Sequence, residues 1–278
     1  MRQYLKHNLS KDHKALLLRI EHWLKLLTKP KVIKDLWLYK KAVETAHEEN
    51  GLDPRFSVSY KDLFPVTGEN TPYTSFDRHY VYHTSWAARV VKDIAAKEQL
   101  HGNTDFRHID ISSTLYFCGI VSAFIPVDFY DYRPADLRLD NLNTKPGDLM
   151  NLPFADASIR SISCMHTIEH VGLGRYGDPI DVDGDIKAIN ELKRVVAKDG
   201  SLIIVVPVGV QKIEFNAHRI YEPAHIQTLV CESGDFELVE YAFIPETDKE
   251  GGILRNAHIV QGSQDHYACG CFWFKKIK

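Results

Sequence analysis

From about residue 105 onward, short β-rich runs alternate with helical stretches, and this alternation is the tightest constraint on what the chain can fold into. Runs at 106–111, 126–130, 159–164, 201–206, 236–243 and 267–275 are rich in β-branched and aromatic residues and read as strands, with a further short strand near 137–142. Helical spacing occupies 115–124, 185–196 and 223–230. Strands separated by helices pair in parallel, because a crossover must return the chain to the same edge. No helical stretch separates the last two strands, so they form an antiparallel terminal hairpin. Asp199-Gly200 is the turn that feeds the fifth strand. The expected fold class is α/β: seven strands, mostly parallel, preceded by N-terminal helices.

The front of the chain reads differently. Residues 10–28 place Leu16, Ile20, Trp23 and Leu27 on one helical face, with Ser10 as N-cap and Lys29-Pro30 as the stop. A second helix is expected over 32–46, with Ile33, Trp37 and Val43 on its apolar side, ended by Asn50-Gly51. Residues 51–75 are rich in turn formers, and a third helix containing Trp86 to Val91 leads into the main domain. The expected division is a helical accessory segment over 1–75 and an α/β domain over 76–278.

Charge follows the same division. Residues 1–41 hold 11 Lys/Arg against 3 Asp/Glu, a net +8, which leaves 23 against 34, or −11, on the remainder. An acidic body argues against a nucleic-acid partner, since phosphate must be neutralised by the opposite sign. The basic front end suits a membrane surface or an acidic partner, beside the plainer reading of a solvated helical face. No apolar run approaches a membrane span of roughly 18 residues or a signal peptide. The five cysteines lack zinc-type paired spacing, and Cys269-Gly-Cys271 is too tight for a knuckle. A cytoplasmic protein with reduced thiols is expected, with peripheral attachment at the inner membrane face as an option.

In open α/β sheets ligands bind at the carboxyl ends of the strands. Asp110, Ser112 and Ser113 follow the first strand and Asp131 the second; Asp148 and Leu149 precede the fourth, and His166-Thr167-Ile168-Glu169-His170 follow it. A carboxylate after the second strand can accept from both hydroxyls of a ribose. Over residues 106–207 this series resembles class I S-adenosylmethionine-dependent methyltransferases. The resemblance is carried by the block from Gly147 to Val171, by Leu192-Lys193-Arg194-Val195-Val196, and by Asp199-Gly200 with the strand ending at Pro207. It implies a Rossmann-like class I methyltransferase sheet and S-adenosylmethionine as cofactor. By position, Asp110, Ser112 and Ser113 would lie beside the methionine moiety, Asp131 on the ribose, Asp148 at the adenine amino group, Leu149 or Met150 against the ring and His166 on the sulfonium side.

A second resemblance spans about residues 70–275, to the uncharacterised methyltransferase-like family catalogued as domain of unknown function 268. It rests on Phe76-Asp77-Arg78-His79-Tyr80-Val81-Tyr82-His83, on Trp86-Ala87-Ala88-Arg89, on His108 to Ser113, on His166 to Asp178, and on Phe215-Asn216-Ala217-His218-Arg219. That resemblance implies a small-molecule or saccharide acceptor and a place in glycan biosynthesis.

The departure from the methyltransferase pattern is in the first loop, where serines stand in place of glycines. Serine at positive φ costs on the order of 1 kcal/mol, and its hydroxyl offers a bond that glycine lacks. The missing glycines also count against a dinucleotide enzyme, whose pyrophosphate needs the glycine turn, and no phosphate-binding loop of the Gly-x4-Gly-Lys type occurs. His166 to His170 matches a zinc-protease pattern, but it follows a strand where that motif needs a helix. A divalent metal on His166, Glu169, His170 and His218 is the alternative, similar to small-RNA 2′-O-methyltransferases that place carboxylate and imidazole ligands after the fourth and fifth strands. The same four residues are the candidate catalytic groups, an imidazole being suited to deprotonate a hydroxyl near neutral pH. His79 and His83, with Tyr80 and Tyr82, form a cluster that is a candidate lid over substrate, His79 and Tyr82 foremost, or plain packing of an amphipathic connector. Arg175, Asp178 and Arg219 are candidates for holding an anionic acceptor, or for fixing a loop. The expected function is O-methylation of a hydroxyl; the competing expectation is a catalytically inactive methyltransferase-like scaffold acting through its basic helices.

Overall fold

The computed structural model describes residues 30–51, 56, 58–247 and 251–278. The helix expected over 10–28 lies outside the described residues. The chain divides into two compact units between Ser75 and Phe76.

In the first unit, helix α1 (Pro30–Asn50) is longer than expected at both ends. Pro30 suits a first turn, where its missing N–H would find no partner, and Gly51 closes the other end at φ +64° with its N–H on the His47 carbonyl. Leu36 is the buried residue of α1 and packs with Leu63, Val32 and Val58. Ile33 and Trp37, expected to be covered, are exposed. Next comes a 3-10 turn, Tyr60–Asp62, capped by Ser59.

The second unit opens with α2 (Arg78–Leu100), whose first turn is capped by the Asp77 carboxylate accepting from Tyr80 N–H at 3.0 Å. Trp86, Ala87, Val90, Val91 and Ile94 form its buried face, at the i, i+1, i+4 spacing of an amphipathic helix. There follow β1 (His108–Ile111), α3 (Leu115–Ser122), β2 (Val127–Asp131), β3 (Leu142–Pro146) and β4 (Ile159–Met165). A 3-10 turn over Ile168–His170 leads to α4 (Gly184–Val195) and β5 (Val196–Val208). A small hairpin of β6 (Lys212–Glu214) and β7 (His218–Ile220) precedes α5 (Pro223–Cys231), β8 (Phe236–Ile244) and β9 (Ala268–Lys276).

The sheet order is β3-β2-β1-β4-β5-β9-β8, parallel through β5 and antiparallel at β5–β9 and β8–β9. This is a Rossmann-like class I methyltransferase fold with N-terminal helices. β9 lies between β5 and β8, so the terminal hairpin supplies both the edge and its neighbour. Two corrections concern the elements. The third strand is 142–146 rather than 137–142: β2 pairs with Leu142 to Pro146 in register, and the preceding residues turn tightly through a Leu139–Leu142 bridge. The β6–β7 hairpin was not anticipated.

Two buried clusters cover the two faces of the sheet. Leu202, Ile204 and Val206 face α4 and α5, while Ile203 and Val205 face α2 and α3. A strand buried on both faces reads as a continuous apolar run, as β5 does. β1 departs from this rule by burying His108 and Asp110, and β4 answers with serines at matching positions. His108 Nδ1 and Nε2 lie 2.8 Å from Ser161 and Ser163 Oγ, and Ser163 donates a short bond to Asp110. The five cysteines are free. Among the described residues no helix is long and apolar enough to cross a membrane.

Candidate active site

The carboxyl ends of β1, β2 and β4 border two cavities that share Ser112, His166, His170 and Tyr176. The first, about 320 Å³, is bounded by Asp131, Asp148 and Leu149, with Tyr132, Arg133 and Asp178 at its rim. The second, about 460 Å³, is lined by Tyr80, Ser113, Glu169, Arg175, His218 and Tyr267. Both fall within the size range of small-ligand sites.

The first cavity is built by strand ends and tight turns. Asp131 terminates β2 and accepts from Arg133 N–H at 2.7 Å; Asp148 accepts from Met150 N–H at 2.9 Å. Ser112 sits at φ +55°, the conformation for which glycine is usual, held by its N–H on the Tyr130 carbonyl at 2.8 Å. The chain therefore keeps the left-handed turn and carries a hydroxyl in it. Asp178 accepts from the N–H groups of Gly172, Gly174 and Tyr176. Burial opposes its charge, and these backbone donors outweigh that and hold its carboxyl below the usual range. Gly172 in this loop is at φ +78°, and a Cβ there would lie 2.1 Å from the Asp181 carbonyl oxygen.

Asp110 is corrected by the structure. Its side chain is fully buried and does not line either cavity; it accepts from Ser113 N–H at 3.1 Å and bonds Ser163 and Cys118. It supports the first loop from beneath. Burial raises its carboxyl to about 6, against the hydrogen bonds that favour the anion.

The second cavity gathers imidazoles from separate segments. His166, at φ +54°, ends β4 with its N–H on the Val205 carbonyl. Its Nδ1 lies 3.0 Å from Glu169 Oε1 and its Nε2 3.6 Å from Cys269 Sγ. Burial disfavours a charge on His166, while Cys269 and Glu169 favour one, and the balance raises it. Burial pushes the Cys269 thiol far up, so it stays neutral and the Glu169 carboxylate is the anion that matters. His170 Nδ1 lies 2.6 Å from the Ala217 carbonyl, which fixes the proton on Nδ1 and leaves Nε2 as an acceptor. Burial lowers His170 below its ordinary value, partly offset by Glu169. Glu169 is 1% exposed, and its Oε2 has no hydrogen-bond partner. His218, on β7, packs against Tyr267 with ring centroids 5.0 Å apart and has Nε2 3.4 Å from Glu214 Oε2.

The remaining expectations divide. His79 stacks between His166 and Tyr267, at 5.8 and 5.1 Å, and burial lowers it to about 4. Tyr82 is a correction: it packs on Phe76 and beneath the Arg78 guanidinium, away from both cavities. Its neighbour Tyr80 lines the second cavity instead, because positions 79, 80 and 83 share one face of α2 and position 82 does not. Arg175 reaches the second cavity and donates to Ala217 O at 2.9 Å. Arg219 is also corrected: it is buried, donates to Val171 O at 2.6 Å and lies 3.6 Å from Asp185, so it braces a loop. His166, Glu169, His170 and His218 do not close into one ligand shell. Among the described residues, the group whose ligand atoms all lie within 4.8 Å of one another is His79, His166 and Cys269.

Tyr176, Tyr267 and Cys269 lie outside the site residues expected from the sequence. The signal for the last two is topological: an antiparallel β9 must begin beside the carboxyl end of β5, and Pro207 indeed pairs with Cys269.

The family model described as Caenorhabditis protein of unknown function, DUF268, matches residues 154–258, less than half of the chain. No curated protein matches the chain by sequence. Among solved structures, the [4+2]-cyclase SpnF is 12% identical, with 69% of this chain and 81% of that chain covered at a TM-score of 0.44. The N-methyltransferase NodS from Bradyrhizobium japonicum, in complex with S-adenosyl-L-homocysteine, is 10% identical over 70% and 87%, at 0.45. A SAM-dependent methyltransferase from Aquifex aeolicus is 16% identical over 72% and 93%, at 0.41.

Proposed function

We propose that the chain is an S-adenosylmethionine-dependent methyltransferase acting on a hydroxyl of a small-molecule or saccharide acceptor. The observation that carries this reading is the meeting of the two cavities at Ser112, His166 and His170, which sets an acidic nucleoside-sized space against a space lined with imidazoles. The residues suit the cofactor's polar groups: Asp131 at the end of β2 for a ribose diol, Asp148 and Leu149 for an adenine edge and face. The Ser112 and Ser113 turn would take the amino-acid end.

When bound, the cofactor supplies an electrophilic methyl group on sulfur. The chain's own part is to place the acceptor oxygen in line with it and to take the hydroxyl proton, and positioning alone accounts for much of such a rate. His170 is the best-placed base. Its Nδ1 is committed to Ala217, its Nε2 is an acceptor, and burial keeps it neutral near pH 7. Glu169, with Oε1 3.7 Å from His170 Nε2, stabilises the imidazolium that forms. Tyr80, Tyr176 and Tyr267 give the acceptor aromatic walls of the kind sugars pack on, and Arg175 lies where it can hold an anionic substituent. Free thiols throughout fit a cytoplasmic setting, and the basic stretch within 1–41 is suited to anionic membrane lipids at its inner face.

Isothermal titration of the full chain with S-adenosylmethionine and S-adenosylhomocysteine tests this. Binding at one site, lost on Asp131→Ala, is the expected result. Absence of heat and of any thermal shift at millimolar cofactor overturns it in favour of a scaffold.

A further inference from the structure

One cluster, which reaches the second cavity through His166 and lies behind its lining at His79 and Cys269, is not used by the methyl-transfer reading. Cys269 opens β9, His166 closes β4 and His79 lies in the first turn of α2, three segments far apart in sequence that bring a thiol and two imidazoles within 4.8 Å of one another. The separation of His166 Nε2 and Cys269 Sγ, 3.6 Å, is that of a hydrogen bond to sulfur. It is close to the edge of a tetrahedron whose centre lies about 2.0 Å from nitrogen and about 2.3 Å from sulfur. Glu169 holds the opposite nitrogen of the same ring at 3.0 Å, the carboxylate–histidine arrangement that orients imidazole ligands toward a metal. The immediate surroundings also hold buried polar atoms without partners. His83 is 0% exposed, its Nε2 is unsatisfied, and its ring meets that of His166 edge-on at 4.9 Å; Glu169 Oε2 is unsatisfied as well. Buried polar atoms are nearly always bonded, so two such atoms beside one cluster are themselves a sign of a missing partner.

We propose that His79, His166 and Cys269 form a binding site for a single divalent transition-metal ion of the zinc class. Two nitrogens and a sulfur suit a borderline ion, and oxygen-seeking magnesium or calcium would be poorly served by them. On binding, the Cys269 thiol and the His166 Nε2–H each give a proton to solvent, a metal–sulfur bond forms, and both imidazoles coordinate through neutral nitrogen lone pairs. Three protein ligands leave a fourth position for water or an acceptor oxygen, as in catalytic rather than structural zinc sites. The catalytic use of that position rests on the methyltransferase reading; the existence of the site does not.

The probe is Co²⁺ added to the full chain, freed of any affinity tag and of metal. The expected result is one equivalent bound, with the visible bands of a tetrahedral ion and a near-ultraviolet sulfur-to-cobalt band, both displaced by Zn²⁺. Cys269→Ser removes the sulfur band and Cys271→Ser keeps it. Should Cys269→Ser fail to fold, as judged by circular dichroism, His79→Gln serves: it weakens Zn²⁺ at least tenfold in competition with a chromophoric chelator. The inference is overturned by no stoichiometric binding, by a Co²⁺ spectrum without the sulfur band, or by His79→Gln binding as the wild type does. Cofactor titration run alongside separates the two readings. Bound cofactor without metal removes only this inference, whereas bound metal without cofactor removes the methyltransferase and leaves the site.

Discussion

The two cavities share an edge and are assembled in opposite ways. The acidic one is local: Asp131 ends a strand, Asp148 and Leu149 follow within one turn of the next strand, and their positions follow from the order of elements along the chain. The imidazole cavity is non-local, drawing Tyr80 from α2, His166 to His170 from the end of β4, His218 from β7 and Tyr267 from the approach to β9. A cofactor common to many enzymes can be held by the invariant part of a fold, whereas acceptor chemistry needs side chains recruited from loops and additions.

If this division of labour is right, substitutions should separate along it. The largest effect is expected at Asp131→Ala, which removes a charged acceptor for two hydroxyls. Cofactor affinity should fall about 100-fold or more, roughly 3 kcal/mol, by titration calorimetry. A loss of less than threefold would mean that the nucleoside lies elsewhere.

Asp110 comes next, and its effect should appear in stability. Its folded value of about 6 stands above its ordinary 3.8, so the folded chain holds the proton more tightly than the unfolded one. This contribution is complete below about pH 4 and is lost as pH rises through about 6, a fall of about 3 kcal/mol. Asp110→Asn keeps an acceptor for Ser113 N–H and cannot ionise, so urea denaturation of the variant should lack that decline. An unchanged pH profile would show that Asp110 is not the group that titrates.

Glu169→Gln probes the other cavity. It retains the shape beside His166 and His170 and removes the charge, so turnover should fall about 10- to 100-fold, the usual cost of an outer-shell partner, with cofactor affinity within threefold of the wild type. Parallel losses in both would break the distinction between the cavities. The smallest effect is expected at Ser112→Gly. Relief of φ +55° should raise stability by up to about 1 kcal/mol, read as a rise of about 2–4 °C in melting temperature.

The same contrast explains what the amino-acid sequence disclosed. The sheet was legible because buried strands such as Ser201 to Val206 are continuous apolar runs and Asp199-Gly200 marks a turn, both local signals. The places of Asp131 and Asp148, at strand ends and on the first cavity, were legible because cavities in this architecture open at the carboxyl ends of strands. Asp110 was misplaced because sequence gives a residue's position on a strand but not whether a neighbouring strand satisfies it, as Ser163 does. Tyr80 and Tyr82 stand side by side in the His79 to His83 cluster, and only the helical phase of α2 shows which of them meets the cavity. Cys269 and Tyr267 were missed because their proximity to His166 exists only once β9 is inserted antiparallel beside β5.

The most direct test of the account is a crystal structure of the full chain with S-adenosylhomocysteine. The ribose is predicted on Asp131 and the thioether sulfur at the seam bounded by Ser112, His166 and His170, facing the imidazole cavity. A sulfur atom directed away from that seam, or a nucleoside bound outside the acidic cavity, would contradict it.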